Sequence, residues 1–203
     1  MTGRLAPSGD RFLSELSRIA QLAVDTAVCA RERVTTGRST PDDTALLAEH
    51  FLEADRLAAE VTNGASRALV PPIDGEDAAA LAARLRGVVV ATNSAARLAG
   101  MVPSGPPVAP LLADLLVEAT DSLEGAATTL TDRTRAVVFA RNVRQLVREG
   151  ERAYVDAVAS LLTTTPTALD AVCHREICGE LRGALRACTV AATLVECVAL
   201  KRF

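Results

Sequence analysis

Aromatic residues are scarce in this chain of 203 residues. It has four Phe, one Tyr and no Trp, although 49% of its residues are hydrophobic. β-Sandwiches and β-barrels build their faces from aromatic and β-branched residues, so the composition disfavours both. A core of Ala, Leu and Val suits close-packed helices, because Ala and Leu lose little conformational freedom in a helix. The composition therefore predicts an all-α protein.

Basic residues do not outnumber acidic ones. The chain has 22 Lys and Arg against 25 Asp and Glu, and its net charge is −3. Proteins that bind nucleic acid through its phosphates carry an excess of positive charge on the binding face. We therefore expect no nucleic-acid partner.

A long hydrophobic run is also missing. The longest one, near residues 189–200, is interrupted by Glu196, whereas about 20 apolar residues are needed to cross a bilayer. Polar residues occupy positions 8–11, where a signal peptide would be apolar. These patterns predict a cytoplasmic protein that does not span the membrane.

The usual sequence signatures of catalysis are absent. The chain has two histidines, His50 and His174, and no G-x-S-x-G, G-x-G-x-x-G or Walker-type glycine motif. Its five cysteines include no C-x-x-C pair, so we expect buried free thiols and no zinc site. Glu49, His50 and Glu53 could form a metal-binding face, but an acidic row on one helix is usually solvated. We therefore expect a protein that is not an enzyme and has no cofactor.

Proline and glycine divide the chain into six segments with apolar residues at helical spacing. The six predicted helices cover about 9–34, 40–69, 74–101, 108–130, 132–162 and 166–200. The widest break, at residues 103–110, contains four prolines and separates two halves. We expect one helical domain over 1–203, with halves at about 9–102 and 107–201.

An internal repeat at an offset of about 96 residues supports this division. Residues 85–87 and residues 181–183 both read L-R-G, and the acidic segment 53–56 corresponds to 149–152. The matches are short, and biased composition produces chance similarity in an Ala-rich chain. Taken with the proline-rich break, the repeat predicts two three-helix bundles in tandem.

Two segments resemble the signature of the PhoU-like family of phosphate-transport accessory proteins, the companions of Pit-type inorganic phosphate transporters. The first is E-A-D at 53–55 and the second is V-P-P-I-D-G-E-D-A at 70–78. Weaker similarity at 112–119, 149–154 and 175–201 extends the resemblance over about residues 10–201. The signature positions are Glu53, Ala54, Asp55, Pro72, Ile73, Asp74, Glu76 and Asp77.

The resemblance implies a fold and a function. It implies a fold of two three-helix bundles in tandem. It also implies the role of a non-enzymatic cytoplasmic accessory or regulator of phosphate transport. The implied partner is a membrane phosphate transporter or a signalling protein, which would hold the chain at the inner face of the membrane. A homodimer is also compatible with the resemblance. Two alternatives stay open: a helical scaffold or dimerisation protein that has drifted from the family role, and a metal-binding PhoU-like protein.

The family's metal motif resembles E-x-x-x-D on the second helix of each bundle, and this chain departs from it. Its first glutamate is replaced in both halves, and arginines stand where further acids are usual on the third and sixth helices. Because a metal cluster needs several oxygen ligands per ion, we expect no metal. The departing motif positions are Phe51, Asp55, Arg86, Val147, Glu151, Arg182 and Arg186.

The surviving carboxylates and the new arginines stand at equivalent positions of the repeat. A carboxylate without a partner inside a bundle is costly, so it pairs with a cation or becomes protonated. Arginine supplies a fixed charge and a planar pair of donors without any ion. The sequence therefore predicts Asp55–Arg86 and Glu151–Arg182 ion pairs. The alternative is that all four side chains point into water.

Overall fold

The computed structural model describes residues 8–65, 73–102, 105–164 and 167–201, and this part of the chain is helical without any strand. The prediction of an all-α fold is therefore confirmed. The six helices are α1 (Ser8–Thr36), α2 (Pro41–Ala65), α3 (Gly75–Ala99), α4 (Ala109–Thr128), α5 (Arg133–Thr164) and α6 (Ala168–Lys201). The end of the second predicted helix and the break after it, at residues 66–72, lie outside the described residues.

Local sequence signals explain where several helices begin and end. Gly37 follows α1 with a φ of 63°, which glycine adopts without steric cost. Thr40 and Asp43 cap α2 reciprocally: the Asp43 amide donates to Thr40 Oγ1 at 3.1 Å, and the Thr40 amide donates to Asp43 Oδ2 at 2.9 Å. The Glu76 amide donates to the Asp74 carboxylate at 3.0 Å, which caps α3.

The helix contacts place three helices of each half together. α1, α2 and α3 contact one another, and α4, α5 and α6 contact one another. Across the halves, α1 packs on α4 and α3 packs on α6, so these four helices form the centre of the molecule. Among the described residues, α2 and α5 contact only the helices of their own half. These two helices therefore lie on opposite outer sides.

One hydrophobic core runs through both halves. Its largest cluster takes buried residues from all six helices, including Leu16, Leu57, Leu85, Leu116, Val143 and Leu181. The small Ala side chains let helices approach closely, and the Leu side chains fill the space between them. The two halves consequently share a core instead of each having its own.

The repeat at an offset of 96 residues is visible in the pattern of burial. Nine buried positions of α3 have buried equivalents in α6. In α3 these positions are Leu81, Ala82, Leu85, Val88, Val89, Thr92, Ala95, Ala96 and Ala99. Lys201, at the end of α6, lies 2.7 Å from Asp77, near the start of α3, so the two equivalent helices run antiparallel.

By length and composition, α6 is apolar enough to cross a membrane, and it is the one such helix in the described part of the chain. However, 44% of its most apolar window is buried inside the bundle, where α6 contacts α3, α4 and α5. The central helix of a helical bundle has the same composition, so this pattern is weak evidence for a membrane span.

Candidate functional site

The first candidate site joins α2 to α3 through Asp55 and Arg86. Arg86 Nε donates a hydrogen bond to Asp55 Oδ1, and the two side chains are 40% and 39% exposed. Phe51 lies one turn before Asp55 on the same helix face. The Arg86 Cζ atom lies 5.8 Å from the centre of the Phe51 ring. The guanidinium thus contacts a carboxylate and an aromatic face together.

The second candidate site joins α5 to α6 through Glu151. Arg182 Nε and Nη2 lie 2.8 and 2.6 Å from Glu151 Oε2. Arg186 adds a second cation, with its Nε 2.5 Å from Glu151 Oε1. The Arg182 Cζ atom lies 4.4 Å from the centre of the Tyr154 ring. Arg182 and Glu151 are 26% and 30% exposed, so this pair is the more buried of the two.

Both sites therefore contain an arginine, a carboxylate and an aromatic ring, but the ring comes from different positions. Phe51 precedes its carboxylate by four residues, whereas Tyr154 follows its carboxylate by three. Steps of three and four both place a side chain on the same helix face. The predicted arginine–carboxylate contacts are found in the structure, but the contacts with the rings were not predicted from the sequence. An aromatic residue three or four positions from each acid was the available signal.

Arg182 affects the charge of its partner. Its hydrogen bond to the Glu151 carboxylate is the main cause that lowers the pKa of Glu151 below the ordinary 4.5. The same bond raises the pKa of Arg182. Because the folded state lowers the pKa of Glu151, the interaction stabilises the fold above about pH 4.5 and is lost as the pH falls through the lowered value.

The residues at these positions do not fit a metal cluster. Each site provides a single carboxylate, and guanidinium groups already occupy its oxygens. In the described ranges no three Asp, Glu, His or Cys side chains converge as metal ligands. Divalent cations with oxygen ligands need several such groups around one ion. Val147, at the leading position of the second motif, is buried in the core.

The acidic row beside His50 does not converge either. His50 Nδ1 lies 3.1 Å from Thr26 Oγ1, while Glu53 accepts hydrogen bonds from Arg56. Burial lowers the pKa of His50, which favours the neutral imidazole. Thr26 is itself fully buried and donates to the Leu22 carbonyl at 2.6 Å. His50 is therefore a half-buried packing residue and not a metal ligand.

The signature residues mostly have structural roles. Ala54 and Ile73 are buried in the core, Asp74 caps α3, and Asp77 contacts Lys201. Glu76 is exposed in the first turn of α3, where an acid suits the helix dipole. Pro72 lies outside the described residues.

A cleft of about 330 Å³ opens between α2 and α3 beside the first site. It shares Phe51 with the Arg86 contact, and the Asn93 amide crosses it to donate to the Leu47 carbonyl at 2.7 Å. The cleft is not predictable from the sequence, because its opening depends on how the two helices pack. The lining residues are Thr44, Leu47, Ala48, Phe51, Val90, Asn93, Ser94 and Arg97.

Arg33 is a third feature that was not predicted from the sequence. It is 3% exposed and links three helices, because its Nη1 donates to the Ala96 carbonyl at 3.3 Å and its Nη2 to Thr44 Oγ1 at 3.1 Å. The signal was its position three residues after buried Ala30, on the apolar face of α1. Its contacts are those of a structural residue at one end of the first half.

The cysteines differ in exposure. Cys178 and Cys188 are buried, and burial raises their pKa values to about 11 and about 12. These two thiols match the expectation of buried free cysteines. The other three do not match it, because Cys197 lies on the exposed face of α6 and Cys29 and Cys173 are only half-buried.

Comparison with known proteins does not assign a family. No protein-family model matches the chain, and no curated protein matches it significantly.

Proposed function

We propose that this chain is a PhoU-like, non-enzymatic accessory or regulator of inorganic phosphate transport. The observation that carries the proposal is the pair of arginine–carboxylate sites at equivalent positions of the repeat. They stand where the resemblance expects metal ligands, between the second and third helices of each half. The motifs at 53–55 and 73–78 and the all-helical fold are in agreement with it.

The arginines would keep the two helix pairs together without a metal ion. A guanidinium offers a fixed charge and several donors in one plane, so it neutralises the carboxylate that remains. A protein of this kind acts through its surface and not through chemistry at a bound ion. Its partner would be a Pit-type phosphate transporter or a signalling protein at the inner face of the membrane.

Deleting the gene in the organism that encodes it tests the proposal. We expect altered phosphate uptake or an altered response to phosphate starvation, restored by the wild-type gene. A variant with Asp55→Ala and Glu151→Ala should restore less, whereas Asp114→Ala, an exposed change on α4, should restore fully. Purified protein should show no phosphatase activity.

Two results would count against the proposal. Normal uptake and signalling across phosphate concentrations would favour the helical scaffold. One or more metal equivalents per chain, kept through dialysis against a chelator, would favour the metal-binding alternative. Capture of the transporter from membranes with tagged protein would support the proposal directly.

A further inference from the structure

The two outer helices carry opposite charge although they are equivalent in the repeat. α2 contains six acidic residues and one arginine, whereas α5 contains six arginines and three acidic residues. Both helices contact only their own half within the described part of the chain. The difference in charge is therefore displayed on opposite outer sides of the molecule.

The outward face of α5 has a row of unpaired arginines. Arg141, Arg148 and Arg152 are exposed, and the described residues provide none of them with a hydrogen bond or an ion pair. We call these three residues the basic stripe. Of the acids on α5, Glu151 is already bound by arginines of α6. The stripe is thus a net positive surface, with the exposed acids Glu149 and Asp156 beside it toward the end of α5.

The outward face of α2 has a matching row of acids. Asp42 and Glu49 are exposed and, within the described ranges, form no hydrogen bond or ion pair. Glu53 lies on the same side and is shared with Arg56. We call Asp42, Glu49 and Glu53 the acidic stripe.

The spacing of the two stripes is the same. Both advance by seven residues and then by four, which is about 10 Å and then about 6 Å along a helix axis. Steps of seven and four keep side chains on one helix face. If the two helices lie side by side and parallel, Asp42 meets Arg141 and Glu49 meets Arg148 in a single register, and Arg152 adds a second arginine to the Glu53–Arg56 pair.

We propose that the acidic stripe of one copy docks on the basic stripe of a second copy of this chain. The stripes of one molecule face away from each other, so each contact leaves one free stripe at either end. Such a head-to-tail contact produces open chains instead of a closed dimer. A second copy is the partner that complements both stripes, because it carries an acidic and a basic stripe with matching charge and spacing. This inference does not depend on a role in phosphate transport.

The contact should be weak and sensitive to salt. Exposed ion pairs contribute only about 0–1 kcal/mol each, and salt screens charges over about 10 Å at 0.1 M and about 3 Å at 1 M. Association therefore requires low salt and a high protein concentration. The proposal predicts a reversible assembly that grows with concentration.

Sedimentation equilibrium of the full chain is the test. At about 20 mM salt the average mass should rise with concentration above the monomer mass of 21.2 kDa without levelling off at the dimer, and at about 0.5 M salt it should return to that of the monomer. A mass that never exceeds the monomer at low salt overturns the proposal. A mass that stops at the dimer overturns the head-to-tail arrangement.

Charge reversal identifies the surfaces. Asp42→Arg with Glu49→Arg, and separately Arg141→Glu with Arg148→Glu, should each weaken self-association by about tenfold or more, because like charges then face each other. Mixing the two variants should restore association, since each supplies the charge that the other lost. Failure of the mixture to associate contradicts the proposed pairing.

A control separates this effect from a change in net charge. Asp114→Arg with Asp121→Arg has the same spacing and charge change as the α2 variant, but on exposed positions of α4. It should associate like wild type. Wild-type protein that stays monomeric but binds vesicles of anionic lipid through the basic stripe would show that a membrane, and not a second copy, is the occupant.

Discussion

The two halves of this protein place an arginine–carboxylate pair at equivalent positions but surround it with different residues. In the first half, Asp55 pairs with Arg86 alone, and both side chains are more than a third exposed. In the second half, Glu151 is held by two arginines, and it and Arg182 are less exposed. The comparison shows that the position of the pair between the second and third helices is repeated, while its exposure, its number of arginines and its aromatic partner are not.

Equivalent core positions of the two halves are also filled by different residues. Ala54 and Val89 are buried in the first half, and their equivalents at the offset of 96 residues are Gly150 and Leu185. A Cβ atom on Gly150 would lie 2.6 Å from Leu185 Cδ1. The Ala–Val pair and the Gly–Leu pair have the same total number of side-chain carbons, so the combined side-chain size is maintained.

The largest expected effect tests whether the halves are separate units. Leu85→Ala and Leu181→Ala remove equivalent, fully buried side chains, and each should lower the free energy of unfolding by about 2–5 kcal/mol. Because the core is continuous, each variant should unfold in one transition, measured by circular dichroism and calorimetry in parallel.

Two separated transitions in either variant would mean that the halves unfold independently. Leu52→Ala is the control, because Leu52 is 63% exposed on α2, and it should change the free energy of unfolding by less than about 0.5 kcal/mol.

An intermediate effect on stability is expected when core residues of the first half replace their equivalents in the second half. Gly150→Ala should destabilise the protein by about 1 kcal/mol, because crowding against Leu185 costs about 1–3 kcal/mol and the gain in helix propensity returns about 1 kcal/mol. Leu185→Val should cost about 1 kcal/mol alone. The double variant should be more stable than the sum of the two changes predicts, by chemical denaturation.

Gly87→Ala and Gly183→Ala provide the matched control. A Cβ atom at either position meets nothing within 4 Å, so each should stabilise the protein by about 0.5–1 kcal/mol. Strict additivity of Gly150→Ala and Leu185→Val would show that the two residues do not exchange volume.

The smallest expected effect concerns the two ion pairs. Double-mutant cycles to Ala should give a coupling energy of about 0.5 kcal/mol for Asp55 and Arg86, and about 1 kcal/mol for Glu151 and Arg182, because exposed pairs contribute little. The Glu151–Arg182 coupling should be present at pH 7 and decline as the pH falls below about 4.5.

A coupling for Glu151 and Arg182 that stays constant down to pH 2 would contradict the ionic origin of the contact. Equal couplings at the two sites would contradict the difference in burial. Arg175→Ala on α6, a residue that is 66% exposed, should leave the stability within about 0.5 kcal/mol of wild type.

Local chemistry made much of the fold predictable from the amino-acid sequence. Within the described residues the helices begin and end close to the predicted positions, because Thr40, Asp74 and Pro110 act on the backbone beside them. The arginine–carboxylate contacts were also predictable, since equivalent positions of a repeat meet equivalent neighbours. The contacts of Phe51 and Tyr154 with the arginines were not predictable. The ring can come from the turn before or after the carboxylate, and packing decides which.

By itself, the sequence determined the helical class, the six segments, the repeat and the charges of α2 and α5, because each follows from composition and from spacing along one helix. The tertiary structure decided that the two halves share one core, that Arg33 is buried, and that a cleft opens beside Phe51. These features depend on distances between helices far apart in sequence. Such distances are set by the interlocking of many side chains, which no pattern along a single helix records.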